Sequence, residues 1–318
     1  VSELQGDPAL LLKCVGKKLS DLRSTDAGTS YRLTVDALEC AAKELECSDF
    51  GLRLAARQGG TRVYGPMGDV MRNSKTFGDA LNYVVKHAYV HSLAARIRLE
   101  RRSDQSIFVG HDILLDRLPN RRQAMEQMLL LGHLGALELT GGRARARVVY
   151  LRHRPLSSFS TYRRYFGCEV RFEQLSDGLV FSKGDLQSPI IDASTKAFEA
   201  ATSFIDASFP AVAPPLRAQA RAVIGQLLGT PNCHHKRVAA ELGLHPRTLD
   251  RRLQKEGTAF LEIKENARRE AAQYYLQQTD LPLSQIAERL GYAEHSVFTR
   301  SCLRWFSSTP SQMRLQLS

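Results

Sequence analysis

The feature that most restricts the fold is a near-repeat close to the C-terminus. Val238-Ala239-Ala240-Glu241-Leu242-Gly243-Leu244 is matched 48 residues later by Ile286-Ala287-Glu288-Arg289-Leu290-Gly291-Tyr292. Each copy has the apolar spacing of a short amphipathic helix and stops at glycine, which takes a positive φ at a helix C-terminus without a Cβ penalty. A new helix is expected after each glycine, over residues 245–255 and 294–305. A small alanine four residues before each glycine, Ala239 or Ala287, lets the paired helices cross steeply. That is the geometry of a helix-turn-helix.

The second helix of each unit then has two faces. In the first copy Leu249 and Leu253 point to a core at i, i+4, Pro246 takes the first helical position, and Arg247, Asp250, Arg251 and Gln254 project. In the second, Phe298 and Cys302 face inward with Leu303 beside them, while His295, Ser296, Thr299 and Arg300 project. Arginine bonds guanine bidentately, aspartate accepts from cytosine N4, serine and threonine serve either role, and Arg252 and Lys255 at the margin suit phosphates. The intervening helix, near residues 259–277, would run about 28 Å. Successive major-groove faces on one side of B-DNA lie ~34 Å apart, so one chain can present two readers to one duplex.

The charge supports this placement. The chain carries 44 Lys+Arg against 33 Asp+Glu, +11 in all with a pI near 9.5, which points to a polyanionic partner. After residue 215 the balance is 15 to 9, or +6 over 103 residues; the preceding 215 residues hold 29 to 24, or +5. Phe209-Pro210-Ala211-Val212-Ala213-Pro214-Pro215 breaks both helix and ladder and reads as a linker. The expected organisation is an α+β domain over 1–208, a linker over 209–216 and an all-α double helix-turn-helix domain over 217–318. In the first domain the patterning predicts helices over 33–46, 76–90 and 122–139, and strands over 94–99, 106–111, 145–151 and 170–172.

The run from Ile286 to Arg314, with its glycine-aromatic turn and Phe298, Arg300, Phe306, Pro310 and Arg314 at matching spacing, resembles the C-terminal signature of AraC/XylS-type transcriptional regulators. The resemblance covers about residues 218–317. It implies two helix-turn-helix motifs entering successive major grooves, with Arg247, Asp250 and Arg251, then His295, Ser296 and Arg300, as base readers. Two positions depart from the family: Cys302 stands where phenylalanine is usual, and Asp250 where glutamine is frequent. The N-terminal part is similar to the arabinose-binding-type regulatory domain of a VirS-like subgroup, through Asp49–Ala55, Tyr162–Phe172 and Leu186-Gln187-Ser188-Pro189. That similarity implies a domain that binds a small effector, dimerises, or both. The partners it implies are double-stranded promoter DNA, RNA polymerase for an activator, an unidentified effector and a second copy of the chain.

Other features read more plainly. His87 and His91 have metal-ligand spacing, but no acid or cysteine supports them, so no metal and no cofactor are expected. Arg143, Arg145 and Arg147 alternate on an expected strand, with Arg152, His153 and Arg154 behind them; they fit a solvated face, an anionic effector pocket or a DNA contact. Gly59-Gly60 and Gly141-Gly142 lack the context of a phosphate loop and read as turns. Six scattered cysteines, Cys14, Cys40, Cys47, Cys168, Cys233 and Cys302, without a C-x-x-C pair, read as reduced thiols. No catalytic signature, membrane-length apolar run or export pattern appears, so a cytoplasmic regulator that is not an enzyme is expected. The rival reading is an enzyme domain targeted to DNA by the helix-turn-helix module.

Overall fold

The computed structural model describes residues 16, 30–116, 118 and 120–315; Cys14 lies outside them. The chain divides into two compact units. The first takes the described residues of 1–113, 120–151 and 155–212; the second takes 213–318 with the short segments 114–119 and 152–154.

The first unit opens with α1 (Tyr31–Glu44), α2 (Phe50–Gln58), α3 (Pro66–Asn73) and α4 (Phe77–His87). The last starts from a capping box in which Thr76 and Asp79 satisfy each other's backbone amides. Then come β1 (Ala95–Arg101), β2 (Ile107–Ile113) and α5 (Arg122–Thr140), followed by β3 (Val148–Tyr150), α6 (Phe159–Phe166), β4 (Glu169–Arg171), β5 (Gly178–Phe181), α7 (Lys183–Gln187) and α8 (Thr195–Ser208). The sheet order is β1-β2-β5-β3-β4, antiparallel except for the parallel β3–β4 pair. This is the α+β unit expected.

Helix α5 is buried on almost every side, as the central element of a domain must be. Two of its buried polar residues are bonded to other elements of the unit. Gln123 accepts from the Gly51 amide at 2.7 Å and donates to Ser48 O at 2.8 Å, while Tyr162 Oη donates to Glu126 Oε1 at 2.6 Å. Burial pushes the Glu126 carboxyl up to about 8, so at neutral pH it is largely protonated.

Two expectations need correction. The strand expected over 145–151 is only Val148–Tyr150. The chain leaves α5 through Gly141 and Gly142, both at positive φ, and the amides of Ala144 and Ala146 go to Thr140 Oγ1 and His133 Nδ1 of that helix instead of to a ladder. The alternation survives without a strand: Ala144 and Ala146 are buried while Arg143, Arg145 and Arg147 are exposed. Strand β5 was not expected. All four of its residues are buried at the middle of the sheet, so it shows a short apolar run without alternation.

The second unit is helical throughout: α9 (Leu216–Leu227), α10 (His235–Glu241), α11 (Pro246–Lys255), α12 (Phe260–Gln278), α13 (Leu283–Arg289), α14 (His295–Phe306) and α15 (Pro310–Leu315). Helix α12 is its spine, packed against α9, α13, α14 and α15. Among the described residues, no helix is long and apolar enough to cross a membrane.

Candidate nucleic-acid interface

The two copies of the repeat close in the same way. In the first, the amides of Gly243 and Leu244 bond Ala240 O and Ala239 O; in the second, those of Gly291 and Tyr292 bond Glu288 O and Ala287 O. Gly243 sits at φ +65° and Gly291 at φ +76°. The bond from the residue after glycine back to the alanine carbonyl is the six-to-one link of a Schellman turn, which needs the left-handed conformation at glycine. Ala239 and Ala287 are buried at the crossings, as the steep approach requires.

Helix α11 starts with Pro246 at its first position, and the His245 ring nitrogen accepts from the Arg247 amide at 3.3 Å. Leu249 and Leu253 are fully buried. Arg247, Asp250, Arg251, Arg252, Gln254 and Lys255 are all exposed. Among the described residues, the side chains of Arg247, Arg251 and Lys255 have no hydrogen-bond or ion-pair partner. Asp250 is different: His235 of α10 donates from Nε2 to Asp250 Oδ1 at 2.8 Å. The edge of the His235 ring rests on Phe260 at 5.1 Å, which fixes its direction. Sequence reasoning missed His235, because its partner lies across the turn on another helix.

Helix α14 presents a different surface. Phe298 and Cys302 are fully buried, and burial pushes the Cys302 thiol up to about 12. His295, Ser296 and Arg300 are exposed, with Thr299 half-buried. Two hydroxyls are already engaged: Ser296 donates to Glu294 and Thr299 donates to His295 O, each at 3.1 Å. Leu303 does not face the core as expected; it is 46% exposed. Its spacing from Ser296 and Arg300, i+7 and i+3, puts it on their outward stripe. Arg304 pairs with Glu265 of α12, which also accepts from Trp305 Nε1 at 2.9 Å, so this arginine braces the helix. Arg268 of α12 donates to Leu290 O at 3.1 Å and lies over the Tyr292 ring, bracing the second turn.

Residues 6–190 match the family described as "Arabinose-binding domain of AraC transcription regulator, N-term", and residues 238–316 match a helix-turn-helix domain family. The chain belongs to the AraC family of transcription regulators. It is 35% identical over 314 residues to the HTH-type transcriptional regulator VirS of Mycobacterium tuberculosis, covering 98% of this chain and 92% of VirS. The ornithine utilization regulator of Pseudomonas aeruginosa is 24% identical over 262 residues, covering 79% and 74% of the two chains. The crystal structure of the transcriptional regulator CdpR from Pseudomonas aeruginosa aligns over 96% of this chain and 97% of its own, at 23% identity and a TM-score of 0.43. As an AraC-family member the chain is a DNA-binding transcriptional regulator, and the reading as a DNA-targeted enzyme finds no support in these relatives.

Arg147 clamps the buried Asp185 carboxylate with two bonds of 3.1 and 2.9 Å, and Arg145 donates to Gly142 O. Within the second unit, Arg152 lies over the Tyr274 ring and Arg154 pairs with Asp280 at 2.8 Å. Helix α4 ends at His87, which stacks on Tyr83 at 3.9 Å, while His91 follows a 3-10 turn and meets Tyr64 edge-on. The two histidines therefore do not share a helix face. Gly59 and Gly141 are helix-ending turns at positive φ. Burial pushes the Cys168 thiol up to about 11, the opposite of an activated nucleophile.

Proposed function

We propose that α11 and α14 enter successive major grooves of one promoter duplex. In the first half-site Arg247, Arg251 and Gln254 meet base edges, with Asp250 aimed by His235; in the second His295, Ser296, Thr299 and Arg300 do so. Leu303 joins this second set as an apolar contact for a thymine methyl group. Arg252 and Lys255 neutralise phosphates, and the basic excess of the second unit supplies sequence-independent affinity. The observation that carries this reading is the duplicated turn, with the same pair of backbone bonds in each copy, followed each time by a helix with one apolar and one polar exposed face.

The chain works in this reading as a cytoplasmic regulator whose first unit senses a small molecule, pairs with a second copy, or does both, and which contacts RNA polymerase where it activates. It spans nearly the full length of VirS, so the support extends to both units. Mapping of genomic binding sites with the full-length protein, followed by footprinting on one site, tests the arrangement. Two protected half-sites about 10 bp apart, centre to centre, are expected. A footprint confined to one half-site overturns it.

A further inference from the structure

The sheet of the first unit ends at β4, whose one ladder partner among the described residues is β3. Val148–Tyr150 runs parallel to Glu169–Arg171, and beyond β3 the Leu151 amide donates to Arg171 O at 2.9 Å. Main-chain groups of successive strand residues point to opposite edges, so those of Val170 point away from the sheet. Such an edge is a template for a further strand unless its side chains repel one.

The side chains of this edge do not repel a copy of themselves. Glu169 and Arg171 flank Val170 on one face of the strand and are about half exposed. The Glu169 carboxylate accepts from Arg171 Nε and Nη2 at 2.8 and 2.9 Å, and those bonds hold it below the usual carboxylate range, so both groups are charged at neutral pH. Opposite charges two residues apart complement themselves under a two-fold rotation. With Val170 opposite Val170 of an antiparallel copy, each Glu169 faces an Arg171. Those contacts fall at the non-hydrogen-bonded positions beside the central pair, where cross-strand side chains come closest. An axis through Glu169 or Arg171 would instead set like charges together. Just past the strand, Phe172 meets Phe159 edge-on at 5.6 Å between ring centroids, and Phe159 is 66% exposed. In the same register Phe172 lies opposite Cys168 of the copy, beside Gly167, which has no side chain to obstruct it.

We propose that the first unit pairs with a second copy of this chain through β4, antiparallel about Val170, so that two five-stranded sheets continue into one. The proposal rests on the reading above in which this unit pairs with a second copy, and it names the surface. The Glu169–Arg171 bridge is already formed within each chain, so the dimer joins two ordered pairs into a network of four charges, which is stronger than isolated surface pairs. The contact is short, and the dimer is accordingly weak and concentration-dependent.

Sedimentation velocity of the full-length protein, from nanomolar to submillimolar concentration, tests this with charge reversals. Arg171→Glu alone, or Glu169→Arg alone, replaces both complementary contacts by like-charge ones and should weaken the dimer at least about tenfold. Mixing the two variants should restore it, because each contact of the heterodimer again joins a carboxylate to a guanidinium. Mixing leaves each variant's own broken bridge unrepaired, so recovery can come only from contact between chains. The double variant Glu169→Arg/Arg171→Glu should dimerise like the unaltered protein. Weakening by both reversals without recovery on mixing would overturn the proposal. A dimer indifferent to both reversals would overturn it while leaving the pairing reading intact, and a monomer throughout the range would remove both. Should a variant fail to fold, hydrogen exchange on the unaltered protein decides: the Val170 amide should exchange more slowly as the dimer forms. Dimerisation with no change at that amide would count against β4.

Discussion

In the first unit the central helix carries Gln123, Glu126, Gln127 and His133 among its buried side chains, whereas helices α9–α15 of the second unit bury no charged side chain at all among the described residues. The first unit thus spends its polar groups on a bonded interior, and the second places them on the outward faces of α11 and α14. The difference follows from what each unit does with charge. A surface that meets phosphate and base edges needs cations free to leave water, so charged groups are kept out of the core beneath it. An interior of bonded polar groups instead fixes one arrangement of helices, because a half-satisfied network costs more than none.

The largest effect that would break this comparison lies in the second core. Phe298→Ala should cost about 3–5 kcal/mol, seen as a lowered denaturant midpoint of the second unit, because a fully buried ring is removed. A loss under ~1 kcal/mol would mean that α14 does not depend on apolar packing.

The buried network makes the next prediction. Glu126 keeps its proton in the folded protein up to about pH 8, whereas in the unfolded chain it loses it near its ordinary value of 4.5. Between those values the folded state binds more protons, so stability falls as pH rises from about 4.5 to about 8 and changes little above. Glu126→Gln, which still accepts from Tyr162, should flatten that slope and stabilise the protein by on the order of a few kcal/mol above pH 8. Equal slopes for the two proteins in thermal unfolding across that range would sink the assignment.

Substitutions on the outward faces of α11 and α14 give smaller effects. Arg251→Ala should weaken operator binding by about 1–3 kcal/mol and relax preference at one base pair of the first half-site, and Arg300→Ala should do the same in the second. Competition binding against single-base operator variants separates these from phosphate contacts; uniform losses would remove either residue from the base readers. Lys255→Ala should have the smallest effect, a similar weakening for every sequence and a salt slope reduced by about 1.

Much of the second unit was legible in the chain because its decisive bonds are local. The glycine turns close within six residues, Leu249 and Leu253 fall on one face by helical period, and Pro246 can only begin a helix. The orientation of Leu303 was misread, since i, i+1 neighbours such as Cys302 and Leu303 sit a hundred degrees apart and only packing chooses between them. In the first unit the same approach found α1, α4, α5 and β1 to β4 approximately, but it read a strand through residues 145–147, where bonds from α5 capture the backbone.

By itself the sequence determined the duplicated motif, the two faces of α11 and α14, the concentration of positive charge after residue 215 and the membership in the AraC family. The motif and the two faces are carried by residues close together in the chain. Only the tertiary structure decided that His235 holds Asp250 and that Glu126 keeps a proton beside Tyr162. The reason is physical: those pairs are joined across turns and sheets, and desolvation acts on a group through whatever the fold packs around it, not through its neighbours along the chain.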